Sequence, residues 1–287
     1  MDANPTTAGT LWVVATPIGN LGDLAPRAVD VLRSVAAIAA EDTRTSHVLL
    51  ARHGIATKTL PLHEHNERAQ VPRLLERLRA GESLALISDA GTPLISDPGY
   101  RLVEGAREAG LRVSTVPGPC ALIAALSVSG LPSDRFAFEG FLPAKGAARR
   151  ARLEALAGEA RTLVFYEAKH RIVETLEDLV AAFGAERQAT LARELTKLHE
   201  TVLHGSLAQL AARVAADAEQ RLGEFVLVVA PAPALDEDAL RLREGERVLA
   251  LLLEESIPAS RAARIAAAIS GAPKNALYAR TRGRDDG

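Results

Sequence analysis

The chain has 287 residues, enough for two domains of ordinary size, and it is 48% hydrophobic and 24% charged with a net charge of −2. This composition indicates a globular protein and excludes broad affinity for nucleic acid. Because Cys120 is the only cysteine, an intramolecular disulfide is impossible, and the seven histidines lack metal-binding spacing, so no metal site is expected. No apolar run is long enough to span a membrane and the first residues do not resemble a secretory signal, which predicts a cytoplasmic protein.

The first half of the chain alternates short apolar runs with amphipathic segments, which is typical of an α/β domain. Buried strands are predicted at 11–15, 35–40, 58–62, 84–87 and 112–116. The helices between them are predicted at 27–35, 46–53, 66–81, around 102–109 and at 120–129. Pro26 suits the first turn of its helix, and Asn66 suits an N-cap.

A Gly/Pro-containing segment at 130–134 separates a second series of strands and helices. Strands are predicted at 136–138, 162–166, 188–192, 201–203 and 224–229. We expect a doubly wound sheet in each half, with a ligand cleft between the halves. The predicted domains are 10–130, 131–233 and a helical tail at 234–287.

The tail is predicted to form three short helices, at about 239–254, 260–270 and 274–282, a spacing that suits a helix-turn-helix-like unit. Residues 235–256 carry seven acidic and three basic side chains, whereas residues 257–287 carry six basic and two acidic ones. A basic final helix favours contact with RNA through Lys274, Arg280 and Arg282. A solvated helix that caps the second domain is the alternative.

The most informative segment is the loop at 88–100, which follows a wholly apolar strand and precedes a helix. In open α/β sheets, ligands bind at the carboxyl ends of strands, where such loops lie. Gly91 allows a ligand to approach the backbone closely, and Pro93 stiffens the loop. An ordinary strand-to-helix turn is the alternative, although it needs only two to six residues.

The chain lacks a dinucleotide fingerprint and a phosphate-binding P-loop. It does resemble the tetrapyrrole-methylase-like class of S-adenosylmethionine-dependent methyltransferases, and within that class the 16S ribosomal RNA 2′-O-ribose cytidine methyltransferases. The second loop has Asp89-Ala90-Gly91-Thr92-Pro93 in place of the Gly-Asp-Pro of tetrapyrrole enzymes, which favours the RNA branch. The matching motifs lie in order at 15–23, 40–44, 62–67, 88–100, 117–121, 130–136, 139–145, 165–171, 192–197 and 223–225.

This resemblance implies an α/β protein made of two α/β/α domains, with S-adenosylmethionine in the cleft between them and a small C-terminal helix-turn-helix-like segment. It implies a homodimer. It also implies that the product is a 2′-O-methylated cytidine in the decoding centre of the small ribosomal subunit, so that 16S rRNA is the partner.

A donor pocket needs apolar walls and a few placed polar groups. We expect Tyr166 to wall the adenine, with core packing as the alternative, and the helix start at Ala121 to hold the donor's carboxylate. The predicted donor-binding residues are Pro17, Asp89, Gly91, Thr92, Pro93, Ile95, Ala121, Tyr166, Ala192 and Arg193.

Transfer of a methyl group to a ribose hydroxyl requires alignment of oxygen, methyl carbon and sulfur, together with removal of the hydroxyl proton. We predict that Asp42 or Glu41 is the acid/base group and that Arg44 and Lys197 stabilise the negative charge of a phosphate or of the alkoxide. A helix cap with a local ion pair is the alternative for the group from Glu41 to Arg44.

Lys145, Arg149, Arg150 and Arg152 form a second basic run, which is predicted to bind RNA phosphates or, alternatively, to be a solvated helix face. Two other functions remain open. One is methylation of a tetrapyrrole carbon, which does not need the basic residues. The other is a protein that binds the donor and docks on the ribosome without catalysis.

Overall fold

A computed structural model of the chain describes residues 8–233 and 237–281. The described residues form two compact units, the first ending at Ala232 and the second beginning at Pro233. Both sheets belong to the first unit, so the predicted boundary at residue 130 stays a prediction. Within the described ranges, no helix has the length and apolar character needed to span a membrane.

The first sheet is parallel, and its strands and helices occur where the sequence predicts them, with ends shifted by a few residues. Its strands are β1 Thr10–Val14, β2 Ala37–Ala40, β3 Thr59–Pro61, β4 Leu84–Ile87 and β5 Arg112–Val116, in the order β3-β2-β4-β1-β5. The helices are α1 Pro26–Ser34, α2 Thr43–Arg52, α3 Glu67–Arg79, α4 Tyr100–Glu108 and α5 Ala121–Val128.

The strands β2 and β4 are buried along their whole length. This is expected for a parallel sheet whose two faces are both covered by helices. One face packs around Leu32, Ile38 and Ala85, and the other around Leu84 and Leu86. The first half is therefore a three-layered α/β/α structure whose strands all end at the same edge of the sheet.

Two predicted helix starts differ in their chemistry. Pro26 occupies the first turn of α1 as expected. Asn66 stands at the N-cap of α3, but its side chain does not cap the helix. Its carboxamide accepts a hydrogen bond from the backbone N–H of His63 and donates to the carbonyl of Pro61. Asn66 therefore holds the turn that precedes α3 rather than the helix itself.

The second sheet is mixed, whereas the first is parallel. Its strands are β6 Phe136–Phe141, β7 Thr162–Ala168, β8 Gln188–Arg193, β9 Thr201–Ser206 and β10 Glu224–Val229, in the order β6-β7-β10-β8-β9. Only β6 and β7 pair in parallel; β10 runs antiparallel between β7 and β8, and β9 is antiparallel to β8. The loop at 194–200 joins β8 to β9 directly, which is too short for a helical crossover.

Three helices accompany this sheet: α6 Gly146–Leu156, α7 Ile172–Phe183 and α8 Leu207–Ala216. They share a core with one face of the sheet that includes Leu153, Leu176 and Leu210. On the other face, Leu122 and Leu126 of α5 pack with residues of β7, β8 and β10. A helix of the first half therefore contributes to the core of the second.

The second unit consists of α9 Glu237–Glu254, α10 Ala259–Ser270 and α11 Lys274–Ala279, close to the three predicted helices. Small residues allow these helices to pack closely. A Cβ on Gly245 would lie 2.8 Å from Ser270 Oγ and 2.9 Å from the Leu277 side chain. Gly271 ends α10 with a φ of 73°, a conformation that favours glycine.

Candidate active site

A cavity of about 300 Å³ lies where the loops after β1, β4 and β5 meet the ends of strands of the second sheet. Its size is within the range of small-molecule binding sites, and most of its lining is apolar. The residues that line it are Ile18, Ala90, Gly91, Thr92, Ile95, Ser96, Asp97, Cys120, Ala121, Phe141, Tyr166, Glu167, Ala168, Ala192, Leu195, Glu224, Phe225 and Val226.

The loop after β4 forms one side of this cavity and is held rigidly. Thr16 and Gly91 exchange two backbone hydrogen bonds of 2.9 and 3.1 Å, and the Thr92 hydroxyl donates to the carbonyl of Pro119 at 2.9 Å. Leu94 and Ser96 adopt positive φ values of 74° and 67°, which are strained for residues other than glycine. Such strain is concentrated at ligand-binding and catalytic sites, where the surrounding structure maintains it.

Six of the ten predicted donor-binding residues line the cavity, and four do not. The six are Gly91, Thr92, Ile95, Ala121, Tyr166 and Ala192. Pro17, Asp89 and Pro93 lie in the flanking loops without lining it. Asp89 has a different contact, because its carboxylate accepts a hydrogen bond from the backbone N–H of Asp42 at 3.0 Å.

Arg193 lies on the opposite side of β8 from Ala192, because successive side chains of a strand point to opposite faces. It lines a second cavity of about 240 Å³ together with Glu194 and His199. Its guanidinium is buried and donates to the carbonyl of His199 at 3.1 Å. The sequence placed both residues at the end of the strand, but only the sheet shows which one faces the first cavity.

Tyr166 is both a packing residue and a wall of the cavity. Its ring lies 4.8 Å from that of Phe138 and 5.6 Å from that of Phe141, in edge-to-face geometry. Its hydroxyl accepts the backbone N–H of Leu122, which is in the first turn of α5. Burial, with a further contribution from Cys120, raises the pKa of Tyr166, so the phenol stays neutral.

Three carboxyl side chains line the cavity, and their surroundings differ. The Glu167 carboxylate is buried and pairs with Arg171 at 2.6 Å. The Glu224 carboxylate pairs with Lys197 at 2.9 Å. Burial raises the pKa of Asp97 to about 6; a hydrogen bond from Ser88 partly offsets this, and the nearby Glu41 and Asp89 raise the pKa further. Asp97 belongs to the motif at 88–100, but no pattern in the sequence indicated a role for it.

Asp42 forms the helix cap with a local ion pair that was the alternative to a catalytic role. Its carboxylate accepts from the Arg44 backbone N–H at 2.8 Å and pairs with the Arg44 guanidinium at 2.7 Å. These hydrogen bonds lower the pKa of Asp42 to about 2. A carboxylate with so low a pKa is a weak proton acceptor. The Arg44 side chain is 89% exposed.

Glu41 has the opposite character. Partial burial and the charge of Asp89 are the largest effects, and both raise the pKa of Glu41. The charge of Asp42 raises this pKa further, whereas a backbone hydrogen bond at Asp89 and the charge of His63 lower it. The ends of the neighbouring strands β2 and β4 thus bring Glu41, Asp89 and Asp97 close together. None of the predicted catalytic residues, Glu41, Asp42, Arg44 and Lys197, is among the residues that line the cavity.

Lys197 is held by two carboxylates, with its Nζ 2.9 Å from Glu194 and 2.9 Å from Glu224. Burial tends to lower the pKa of Lys197, but the hydrogen bonds to Glu224 and Glu194 outweigh it, so the pKa is raised and the ammonium is retained. The loop that carries Lys197 lies against Gly19, where an added Cβ would collide with Lys197 Cγ.

The basic run at 145–152 does not form one surface. Arg149 is 3% exposed, and its guanidinium pairs with Asp178 at 2.7 Å and Glu174 at 3.1 Å. Arg149 therefore joins α6 to α7 and is not available to RNA phosphates, contrary to the sequence prediction. Lys145 is exposed, as are Arg150, at 55%, and Arg152, at 49%, although Arg152 pairs with Glu139.

In the second unit, Lys274 is exposed and Arg280 is 65% exposed, with its guanidinium 2.8 Å from Glu246. Arg282 lies outside the described residues. The exposed Arg261 and Arg264 on α10 add to the positive charge, and residues 257–281 contain no acidic side chain. Both arginines contribute to the basic charge of residues 257–287, which was the only sequence signal that pointed to them.

A parallel sheet, a mixed sheet and a cavity at their strand ends define a methyltransferase fold of the tetrapyrrole methylase type. A family model described as Tetrapyrrole (Corrin/Porphyrin) Methylases matches residues 10–211, and one described as the RsmI C-terminal HTH domain matches residues 236–281. A uroporphyrin-III-C-methyltransferase from Thermus thermophilus is similar with a TM-score of 0.55 at 23% identity, covering 78% of this chain and 95% of that one. Diphthine synthase is similar with a TM-score of 0.56 at 15% identity, covering 77% and 89%.

Curated relatives are much closer in sequence. The chain is 62% identical to a Ribosomal RNA small subunit methyltransferase I of Xylella fastidiosa (strain Temecula1) over 95% of this chain and 99% of the relative. It is 57% identical to the protein of that name from Pseudomonas aeruginosa, covering 95% and 96%, and 52% identical to that of Escherichia coli O157:H7, covering 94% and 93%. The chain belongs to the tetrapyrrole methylase family and, within it, to the ribosomal RNA small subunit methyltransferase I proteins.

Enzymes of this family take their methyl group from S-adenosylmethionine, and a related uroporphyrin-III C-methyl transferase of Thermus thermophilus has been solved with S-adenyl homocysteine. The cavity fits that cofactor. Ile95 and Val226 provide apolar walls, the first turn of α5 at Ala121 suits a carboxylate, and Asp97 suits a positive charge. When bound, the cofactor supplies an activated methyl group.

Proposed function

We propose that the chain transfers a methyl group from S-adenosylmethionine to the 2′-hydroxyl of a cytidine in the decoding centre of 16S ribosomal RNA. The observation that carries this proposal is the 52–62% identity to relatives named Ribosomal RNA small subunit methyltransferase I, over 94–95% of the chain. At this identity over nearly the whole length, both the cofactor cavity and the C-terminal unit are included in the match.

The donor would occupy the cavity between the loop after β4 and the second sheet. The positive end of the α5 dipole would attract the donor's carboxylate, although the Leu122 N–H of this first turn already donates to the Tyr166 hydroxyl. Tyr166, Phe141 and the apolar residues of β10 line the cavity and would limit the access of water to a bound donor. Exclusion of water strengthens every electrostatic interaction in the site and prevents hydrolysis of the donor.

The ribose hydroxyl must lose its proton while its oxygen attacks the methyl carbon and the carbon–sulfur bond breaks. Glu41 is the better candidate acceptor, because its raised pKa makes it a stronger base than Asp42, whose carboxylate is committed to Arg44. The Lys197 ammonium would stabilise negative charge at the oxygen or at a neighbouring phosphate.

Binding of RNA would involve exposed basic side chains. In the first unit these are Lys145, Arg150 and Arg152, and in the second unit they include Lys274 and Arg280. Contacts to phosphates release counterions, so affinity for the subunit should fall steeply with salt. The proposal includes a homodimer, which the family resemblance implies, and a cytoplasmic location, where the proposed ribosomal substrate is found.

The tetrapyrrole alternative shares the fold and the donor. It is less favoured because the solved tetrapyrrole enzymes cover only 77–78% of this chain, at 13–23% identity, whereas the relatives named for ribosomal RNA cover 94–95%. The other alternative, a protein that binds the donor without catalysis, differs from the proposed enzyme only in the absence of turnover, so a turnover assay is needed to distinguish them.

The test uses the full chain, labelled S-adenosylmethionine and small ribosomal subunits from cells that lack this protein. Ribose-methylation-sensitive primer extension then maps the label. A single labelled cytidine in the decoding centre is the expected result. Label on another RNA position overturns the substrate assignment, and transfer to uroporphyrinogen in place of RNA supports the tetrapyrrole alternative. Donor binding without transfer to either substrate supports a non-catalytic role.

A further inference from the structure

The three carboxylates of the donor cavity differ in whether a cation neutralises them. Glu167 is paired with Arg171 and Glu224 with Lys197. Asp97 takes part in no ion pair within residues 8–233 and 237–281, and its neighbours Glu41 and Asp89 carry the same charge. A half-buried negative charge without a counter-ion destabilises the folded chain unless a ligand supplies the positive charge.

The backbone holds Asp97 at this position despite that cost. The loop that carries it is fixed on one side by Gly91, and Ser96, the residue before Asp97, keeps a strained φ of 67°. Across the loop, a Cβ on Gly140 would lie 3.4 Å from Ser96 Oγ, so β6 lies against this segment. Strain and an uncompensated charge on adjacent residues are typical of a position selected for ligand binding.

We propose that Asp97 is the counter-ion of the donor's sulfonium, so that the site distinguishes S-adenosylmethionine from its product by charge. This inference rests on the proposed function, in that it takes the cavity as the donor site. The amino and carboxyl groups at the methionine end of the donor offset one another, which leaves the sulfonium as the net positive charge. The product retains that zwitterion and lacks the sulfonium.

The charge balance of the reaction gives Asp97 a role in turnover. The ribose oxygen forms a bond to the methyl carbon, the carbon–sulfur bond breaks, and its electron pair stays on sulfur, which becomes neutral. The hydroxyl proton passes to the proton acceptor. Asp97 then faces a neutral thioether in a carboxylate-rich environment, so the product binds more weakly than the donor and is released.

The test compares the affinities of wild-type chain and Asp97→Asn for S-adenosylmethionine and S-adenosylhomocysteine by titration calorimetry at pH 8. A charge-assisted contact predicts a roughly ten- to hundredfold loss of affinity for S-adenosylmethionine and less than about threefold for S-adenosylhomocysteine. Asp30→Asn, an exposed substitution on α1, is the matched control and should change neither affinity. Equal losses for both ligands in a folded variant, or no loss for either, overturn the inference.

A second measurement uses only the wild-type chain, so it does not depend on whether a variant folds. In the wild-type chain, the preference for S-adenosylmethionine over S-adenosylhomocysteine should decrease from pH 8 to pH 5 as Asp97 takes up a proton. The other groups facing Asp97 are Glu41, Asp89, Ser88 and the neutral Tyr166. A preference that does not change with pH overturns the inference. A wild-type chain that binds neither ligand refutes the proposed function itself, which is a different outcome from loss of selectivity.

Discussion

The contact between Glu167 and Arg171 joins the end of β7 to the start of α7 at the wall of the donor cavity, and its removal gives a testable loss of stability. The Glu167 side chain is fully buried. Its carboxylate accepts hydrogen bonds from the Ala168 N–H at 2.7 Å, from Arg171 and from the Thr175 hydroxyl at 2.7 Å. Arg171 also donates to the Leu142 carbonyl and is only 14% exposed.

Glu167→Gln keeps the shape of the side chain and removes its charge, which leaves the Arg171 guanidinium buried without a counter-ion. Breaking a buried pair in this way costs about 3–5 kcal/mol. For a unit of this size, 1 kcal/mol corresponds to roughly 2–4 °C in Tm, so the expected decrease in Tm is about 6–20 °C. Arg171→Met should cost a similar free energy of unfolding, because it leaves the carboxylate unpaired.

The assay is urea denaturation followed by circular dichroism for the wild type, both single variants and the double variant. The two residues are in contact, so their effects should not add: we expect a coupling free energy of about 1–3 kcal/mol in favour of the double variant. Lys169→Met, a neighbouring exposed substitution, is the control and should change stability by less than about 0.5 kcal/mol. A cost below about 1 kcal/mol for Glu167→Gln, or strict additivity of the two substitutions, would show that the buried ion pair does not stabilise the fold.

Three further predictions concern the site. Glu41→Gln should lower the methylation rate by about 10²–10⁴-fold, as expected for a lost general base, whereas Asp42→Asn should mainly cost about 1 kcal/mol of helix-cap stability; single-turnover rates and Tm values separate the two. Gly19→Ala should displace the loop of Lys197 and lower the free energy of unfolding by about 1–3 kcal/mol. Calorimetric unfolding measures this loss, and a variant as stable as the wild type would contradict the prediction. Because the folded-state pKa of Asp97 is raised to about 6, the folded chain binds more protons than the unfolded chain between about pH 4 and 6, so a rise in pH through this window destabilises it. Asp97→Asn should therefore be more stable than wild type without donor at pH 8, with a smaller difference at pH 5; urea midpoints at the two pH values provide the check.

Local sequence was sufficient for most of the secondary structure. Fully apolar runs such as Leu84–Ile87 can only be buried strands or buried helix segments, and the glycines and prolines that flank them decide in favour of strands. The loop at 88–100 is predicted to be a ligand site because it is longer than the two to six residues that an ordinary strand-to-helix connection needs. The order and spacing of the motifs then specify the family.

Other features depend on contacts between residues far apart in the chain. The antiparallel insertion of β10 between β7 and β8 brings Glu224 into the cavity, and no local pattern encodes this pairing. Arg149 has the composition of an exposed basic residue, yet the packing of α6 on α7 buries it beside Asp178.

Local propensity and motif spacing are properties of the sequence, so the types of the elements, the ligand loop and the family could be predicted from it. Which side chains face the donor cavity, and which charges are neutralised, follows from the packing of segments that are far apart in the chain. Ala192 faces the cavity and Arg193 does not, and among the described residues no cation pairs with Asp97 as Lys197 pairs with Glu224. Burial and charge pairing depend on what another segment places opposite a side chain, and that is fixed only when the sheets and helices pack.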